Sequence, residues 1–311
     1  MYYFTKDKPY NSLNEYFRQT YHKKVSKISL NINLTCPNID GTKGYGGCTY
    51  CSKLGSGDTA GDYHKSIHEQ FDDIKNIINN KWNDYLFIPY FQANSNTYGD
   101  INYIKNKIEE SINIYKEKTI AVSIATRADC LNDDIIEYLN DLNKRITVYV
   151  ELGLQTSNEK TGIKINRCLT NQEFIDGVNK LRKIGINVIC HIINGLPYET
   201  KDDMLDTIRF INKLDIQGVK IHSLLLLKDT KMYEEYQKEK FDILTLDEYV
   251  DIVVDQISIL RPDIIIHRLS ADSKVNDLML PEWTRKKLVI MNEIDKKLRK
   301  NNLYQGIYYK K

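Results

Sequence analysis

The sequence predicts an α/β fold: a partial, TIM-type (β/α)6 barrel with an N-terminal arm and a C-terminal helical extension. Three observations carry that expectation. Short β-branched runs alternate six times with longer amphipathic ones, which points to parallel strands covered by helices. Residues whose types suggest chemistry fall just after those runs, at Cys36, 92–98, Arg127, 151–155, 194–199 and 227–228. A doubly wound sheet splits its strand ends at a switch point, whereas a barrel converges them on one site, so the barrel is favoured. No Pro/Gly/Ser-rich linker or solenoid-type repeat interrupts the chain. One domain is therefore expected, with an arm over residues 1–27, a barrel core over 28–228 and an extension over 229–311 packed on the barrel.

The elements follow in order. Strands are expected at 28–34, 85–91, 120–125, 147–153, 187–193 and 219–225. Between the first three, Ile67, Phe71, Ile74, Ile77 and Ile78, then Ile101, Ile104, Ile108 and Ile112, recur at spacings of three and four, as one face of a helix requires. Further helices fit 133–143, 171–184 and 202–214. Thr170 and Thr200 stand at N-cap positions, with Glu173 and Asp203 three residues on. The extension reads as a helix at 246–260, a short strand at 264–267 and a basic helix at 281–300.

Composition narrows the class. Of 311 residues, 41% are apolar and 28% charged, as in a globular protein that buries a sizeable core. No run of eighteen apolar residues exists, so no membrane span is expected. The beginning, MYYFTKDKPYNSLNEYF, lacks the apolar centre of a secretory signal, which makes the reducing cytoplasm the expected compartment. There, clustered cysteines mean metal or catalysis more often than disulfides. A net charge of +2 decides nothing about nucleic acid. Residues 285–311 carry nine Lys/Arg against Glu293 and Asp295, which reads either as a solvated helix with a basic tail or as a salt-sensitive phosphate contact.

The stretch CPNIDGTKGYGGCTYC places Cys36, Cys48 and Cys51 within sixteen residues. Disulfides need pairs, and a closed zinc shell needs four ligands. Thiolates suit iron–sulfur clusters, zinc or copper(I). Three of them on a four-iron cubane leave one iron open. Gly41, Gly44, Gly46 and Gly47 allow the loop to wrap closely around such a core. Two other readings stay open: zinc held by these cysteines with His64 or His68, and a redox dithiol at Cys48 and Cys51. Cys130, Cys168 and Cys190 fit no ligand spacing and read as bystanders.

Three cysteines after a first barrel strand, ending in Cys-x-aromatic-Cys, resemble the signature of the radical S-adenosylmethionine enzymes. That superfamily usually has three residues between the first two cysteines; here there are eleven. One subfamily, the YhcC/YtqA-like group related to the elongator catalytic subunit, carries the same long insertion. The chain resembles that group also in FQANSNTY (91–98), ATRAD (125–129), ELGLQT (151–156), NGLPYET (194–200) and HRLSAD (267–272).

The resemblance implies a [4Fe-4S] cluster on Cys36, Cys48 and Cys51, with S-adenosyl-L-methionine on the open iron and a 5′-deoxyadenosyl radical as the reactive species. By similarity, Tyr50 packs near the adenine, which Ile193 and the turn at Gly195 flank. Gln92 and Asn94 would hold the methionine amino group, Glu151 the ribose hydroxyls and Arg167 the methionine carboxylate; Arg127 belongs to the same cofactor-binding set. Duller roles stand beside these: an ion pair of Glu151 with Arg127, Arg167 covering the following helix, Tyr50 as packing. Relatives of the group imply tRNA as substrate, with a carboxymethylaminomethyl group at C5 of the wobble uridine trimmed to aminomethyl, and a reductant such as flavodoxin or ferredoxin. The basic C-terminal segment, His267, Arg268 and the arm tyrosines (Tyr2, Tyr3, Tyr10, Tyr16, Tyr21) could contact that RNA, or the arm could be a tethered strand covering the barrel's open side. Asp272, Asp129, His222 and Lys228 are unranked candidates for proton handling. A non-tRNA substrate, a zinc-stabilised nucleic-acid-binding protein and a non-radical barrel enzyme complete the alternatives.

Overall fold

Seven parallel strands form one curled sheet in the order β1-β2-β3-β4-β5-β6-β8, the layout of a barrel left open between its first and last strands. The computed structural model describes residues 3–55, 57–80, 84–274 and 276–310. Along the chain come α1 (Leu13–Tyr21), β1 (Lys24–Leu30), α2 (Ile67–Asn79), β2 (Tyr85–Phe91), α3 (Ile101–Ile114), β3 (Ala121–Thr126) and α4 (Asp133–Asn143). There follow β4 (Thr147–Gln155), α5 (Glu159–Lys164), α6 (Asn171–Lys183), β5 (Asn187–Asn194), α7 (Lys201–Asn212), β6 (Gly218–Ser223) and β7 (Leu226–Leu227). The chain continues through α8 (Lys231–Lys238), α9 (Leu246–Ile259), β8 (Ile265–Arg268), β9 (Leu278–Leu280) and α10 (Lys287–Lys300).

The local signals act as expected where they are strongest. Thr170 and Thr200 close capping boxes with Glu173 and Asp203, and Ser66 and Thr245 do the same for α2 and α9. The structure departs from the sequence reading in four places. β1 begins and ends four residues early, because Asn31 turns back to accept from the Asn33 amide (2.9 Å) and Asn33 takes a φ of 53°. Cys36 thus stands on an irregular segment rather than directly on the strand. The short strand in the extension joins the main sheet: β8 pairs in parallel with β6. The last helix starts at Lys287, after a 3-10 turn at Glu282–Arg285. Finally, α1, α5 and α8 are helices that the sequence reading leaves unassigned.

The arm is built into the fold. The Asn11 carbonyl accepts from the Ile266 amide on β8 (2.7 Å), and Tyr10 is buried with its hydroxyl donating to Asp295 of α10 (2.9 Å). From there α1 touches both edge strands, β1 and β8. Phe17 packs with Ile88, Ala121, Tyr149 and Ile189, joined by Tyr16 and Tyr21, and plugs the amino end of the barrel. That geometry corrects the RNA-stacking reading for Tyr10, Tyr16 and Tyr21, which face core; Tyr2, like Lys311 of the basic tail, lies outside the described residues. No helix among the described residues is long and apolar enough to cross a membrane.

Candidate functional site

The carboxyl ends of the strands surround a cavity of about 250 Å³. Cys36, Cys48 and Cys51 all rim it, and no disulfide ties them. The loop that carries them is held from both sides. Asn38 donates to the Asn166 carbonyl (2.5 Å) and to Cys48 Sγ (3.5 Å), while the Asn166 amide donates to the carbonyls of Gly47 (2.7 Å) and Tyr45 (3.1 Å). Gly46 and Gly47 both sit at φ of 76°, a left-handed conformation that side chains resist. The Cys48 thiol is held down to about 6 by hydrogen bonding from Cys51, against burial, with Tyr50, Arg127 and Asn38 adding to the effect. Burial pushes the Cys36 thiol up.

The donor set bears on which inorganic group fits. Among the described residues, no three His, Cys, Asp or Glu side chains stand close enough to grip one metal ion. A single zinc with Zn–S bonds of about 2.3 Å needs that convergence. A cubane takes one thiolate per iron, so its sulfurs ring a larger core, as three cysteines around a common cavity do. His64 and His68 are exposed and do not line the cavity; His64 stacks on Tyr63 and His68 faces Asp72 across 3.7 Å. A second fitting feature is Asn94. Its amide nitrogen donates to the Leu34 carbonyl (2.8 Å), while its oxygen is buried with no partner among the described residues. An acceptor left open beside the thiols suits an ammonium group such as that of methionine. The residues present fit a cluster with an amino-acid cofactor.

Of the other residues singled out in the sequence, Tyr50, Gln92, Arg127, Glu151 and Ile193 line the same cavity. Tyr50 packs with Ile193, and its hydroxyl donates to the Gln155 amide oxygen (3.3 Å). Arg127 forks onto Asp129 (2.9 and 2.8 Å) and donates to the carbonyls of Arg167 and Cys168 (both 2.8 Å), so its ion-pair partner is Asp129 and not Glu151. Two residues are not brought to the cavity. Arg167 is 1% exposed, and its guanidinium is spent on the carbonyls of Leu169, Leu154 and Thr156 and on Glu159. No fork remains for a carboxylate. Gly195 faces a separate, smaller recess with Leu244, Tyr249 and Trp283.

Glu151 lines the cavity, but its oxygens are already bonded. Oε1 accepts from Lys27 and from Ser123 (2.6 Å), and Oε2 from Lys220 and from His191 (2.7 Å). A ribose hydroxyl finds no open acceptor there. Burial alone would raise this carboxyl, yet the ammonium groups of Lys220 and Lys27 hold it well below the ordinary range. Burial in turn pulls Lys220 down to about 7 and His191 to about 4. The sequence reading missed Lys27, Tyr90, His191 and Lys220. For three of them the signal was present: Tyr90, His191 and Lys220 are polar residues inside largely apolar strand runs, where alternation turns them into the barrel, whereas Lys27 lies in the mixed run KVSKISL and gave none. Of the proton-handling candidates, His222 and Asp272 line the cavity, Asp129 is bound to Arg127, and Lys228 is exposed.

Comparison with known proteins adds the following. Residues 42–211 match the Radical SAM superfamily, and residues 216–300 the Radical SAM C-terminal domain. The chain is 43% identical to the uncharacterized protein YtqA of Bacillus subtilis (strain 168), over 98% of this chain and 94% of that protein. A stretch of 101 residues, 32% of this chain and 23% of the other, is 33% identical to tRNA-2-methylthio-N(6)-dimethylallyladenosine synthase of Fusobacterium nucleatum subsp. nucleatum. Among solved structures, Elp3 of the archaeon Methanocaldococcus infernus, lacking residues 1–46, superposes with a TM-score of 0.65 at 16% identity. That superposition covers 91% of this chain but 64% of the Elp3 chain, less than two thirds of it, and shows a shared partial-barrel fold.

Proposed function

The chain belongs to the radical SAM superfamily, and from that premise we propose that it modifies tRNA, trimming the carboxymethylaminomethyl group at C5 of a wobble uridine to aminomethyl. The observation that carries the radical part is the set of three thiols, Cys36, Cys48 and Cys51, around one cavity. In this reading they hold a [4Fe-4S] cluster. S-adenosyl-L-methionine, when bound, supplies a 5′-deoxyadenosyl radical able to take hydrogen from the substrate. Asn94, with Gln92, holds the methionine amino group; Tyr50 and Ile193 form the apolar wall for the adenine. Arg127, fixed by Asp129, stands as a fixed positive charge beside the thiols. A reductant such as flavodoxin or ferredoxin delivers the electron.

The tRNA part is supported by the partial likeness to a synthase whose name specifies tRNA. The C-terminal segment bears on the same point. Lys297 and Arg299 on α10 are engaged by Asp251 and Asp7, so the basic face is partly neutralised, while Lys286 and Lys300 project from its two ends. A phosphate contact there would weaken steeply as salt rises.

Two measurements test the reading. Anaerobically prepared protein should be brown, with about four irons per chain, and should release 5′-deoxyadenosine with S-adenosylmethionine and a reductant. Colourless protein carrying zinc would overturn it. Nucleoside mass spectrometry of tRNA from a strain lacking the gene should show the carboxymethylaminomethyl form accumulating; unchanged wobble uridines would remove the tRNA assignment and leave the radical chemistry standing.

A further inference from the structure

The inner end of the cavity has more positive charge than its own residues balance. Lys27 and Lys220 bind the two oxygens of the single carboxylate of Glu151, and both ammonium groups lie over the Tyr90 ring, at 4.8 and 4.5 Å from its centre. Glu151 is 1% exposed and Lys220 5%. One buried carboxylate thus faces two lysines, Lys27 half-buried and Lys220 buried. Next to them, on β8, stands Arg268. Lys220 and Arg268 are register partners on adjacent strands, so their side chains share a face, and both line the cavity. Arg268 has one carboxylate contact among the described residues, Asp272 at 3.3 Å, and Lys287 takes that same carboxylate at 2.8 Å. Like charges side by side across a strand pair repel, and a buried charge without a partner is costly.

Donor counting gives the same answer. An ammonium carries three donors and a guanidinium five. Lys220 spends two, on Glu151 and on the Tyr90 hydroxyl (3.3 Å). Arg268 has most of its five to spare. Burial keeps the His222 and His191 rings uncharged near pH 7 and brings Lys220 down to about 7, so an anion beside that lysine would favour its protonated form. Lys220 sits with Lys27 on β1, Tyr90 on β2, Glu151 on β4, His191 on β5, His222 on its own strand and Arg268 on β8. Such a set, closed by protein on one side and open to the cavity on the other, is completed by an anion.

We propose that Lys220 and Arg268, with Lys27 behind them, form a subsite that receives a carboxylate of the substrate. A carboxylate adds the negative charge that Arg268, sharing Asp272 with Lys287, is short of, favours the protonated form of Lys220, and offers two oxygens to two neighbouring cations. The inference rests on the proposed function in taking that carboxylate to be the one on the carboxymethylaminomethyl group. The subsite would then distinguish substrate from product, since trimming removes the carboxylate and leaves an amine facing two cations.

The test is equilibrium dialysis of anaerobically reconstituted protein, with S-adenosylmethionine present. The probes are 5-carboxymethylaminomethyluridine, 5-aminomethyluridine and uridine 5′-monophosphate. Wild type should retain the carboxylated nucleoside about tenfold or more over the aminomethyl one, as expected for hydrogen bonds between charged groups. Arg268→Gln and Lys220→Gln should each erase most of that preference, and Lys220→Arg should restore part of it. Equal retention of the two nucleosides overturns the subsite. Retention of the monophosphate in preference to both overturns the carboxylate assignment. A variant that loses S-adenosylmethionine while keeping the nucleoside preference would give these cations to the cofactor, and so also overturn it. Release of 5′-deoxyadenosine, measured on the same wild-type samples, separates the two claims. Its absence sinks the radical reading alone, whereas normal release with equal retention sinks the subsite, and the tRNA nucleosides of the strain lacking the gene then show whether the wobble-uridine assignment falls with it.

Discussion

The two ends of the barrel are built from the same strands and are opposite in character. At the amino end, α1 lays Phe17, Tyr16 and Tyr21 onto Ile88, Ala121, Tyr149 and Ile189, a contact made of apolar side chains. A few residues further along those strands, the lumen holds Lys27, Ser123, Glu151, His191 and Lys220 in one hydrogen-bonded group, and beyond them stand the three cysteines. One end gains free energy by excluding water; the other spends it to keep charges dry. A division of labour follows, in which the amino end and the outer helices stabilise the chain and the carboxyl end is shaped for ligands.

Substitutions can break or sharpen that contrast. The largest effect is expected for Cys48→Ser. Iron content and 5′-deoxyadenosine release should fall by more than the roughly tenfold to hundredfold that loss of an outer partner of a metal ligand costs. Circular dichroism of the metal-free protein should stay as in wild type. Next comes Glu151→Gln, which leaves Lys27 and Lys220 without their carboxylate and should lower stability by about 3–5 kcal/mol in denaturant unfolding. At the opposite end, Phe17→Ala should cost about 3–4 kcal/mol by opening a cavity, with iron content per folded chain unchanged. Loss of iron in Phe17→Ala as complete as in Cys48→Ser would mean that the two ends are not separable.

A pH series sharpens the comparison further. Lys220 is held down to about 7 in the folded protein, against about 10.4 for an exposed lysine. Between those values the unfolded chain keeps a proton that the folded chain has released, so stability rises with pH, by at most about 1.4 kcal/mol per pH unit. Wild type should show that rise from pH 7 to 10, and Lys220→Met should not; parallel curves for the two proteins would place the lysine outside the low-dielectric lumen. The smallest effect is expected for Thr170→Ala, which removes a cap on α6 and should cost about 1 kcal/mol with no change at either end of the barrel.

Much of this could be read from the chain. The strand at 85–91 and the helix at 133–143 have the bounds their apolar spacing implies, and Thr170 and Thr200 cap as their spacing to Glu173 and Asp203 suggests. These are short-range effects: helical and strand periods, and a hydroxyl reaching an amide three residues on, need no distant partner. The helix α1 was less legible, because its apolar face finds its reason in Tyr149 and Ile189, far along the chain. Arg167 shows the same limit at the site. A buried arginine near three cysteines invites a cofactor role, yet the carbonyls of Leu154, Thr156 and Leu169 converge on it through the turn after β4 and claim its donors.

By itself the sequence determined the alternation of strands and helices, the glycine-rich cysteine loop and the positions of the caps, since each depends on residues within a few places of one another. The tertiary structure alone decided which charges meet. Lys27, Tyr90, Glu151, His191, Lys220 and Arg268 come from six different strands, and each faces the lumen through strand alternation combined with register. A slip of one residue in any pairing would turn a side chain from the lumen to the helices. Register is a property of the assembled sheet, and no local spacing encodes it.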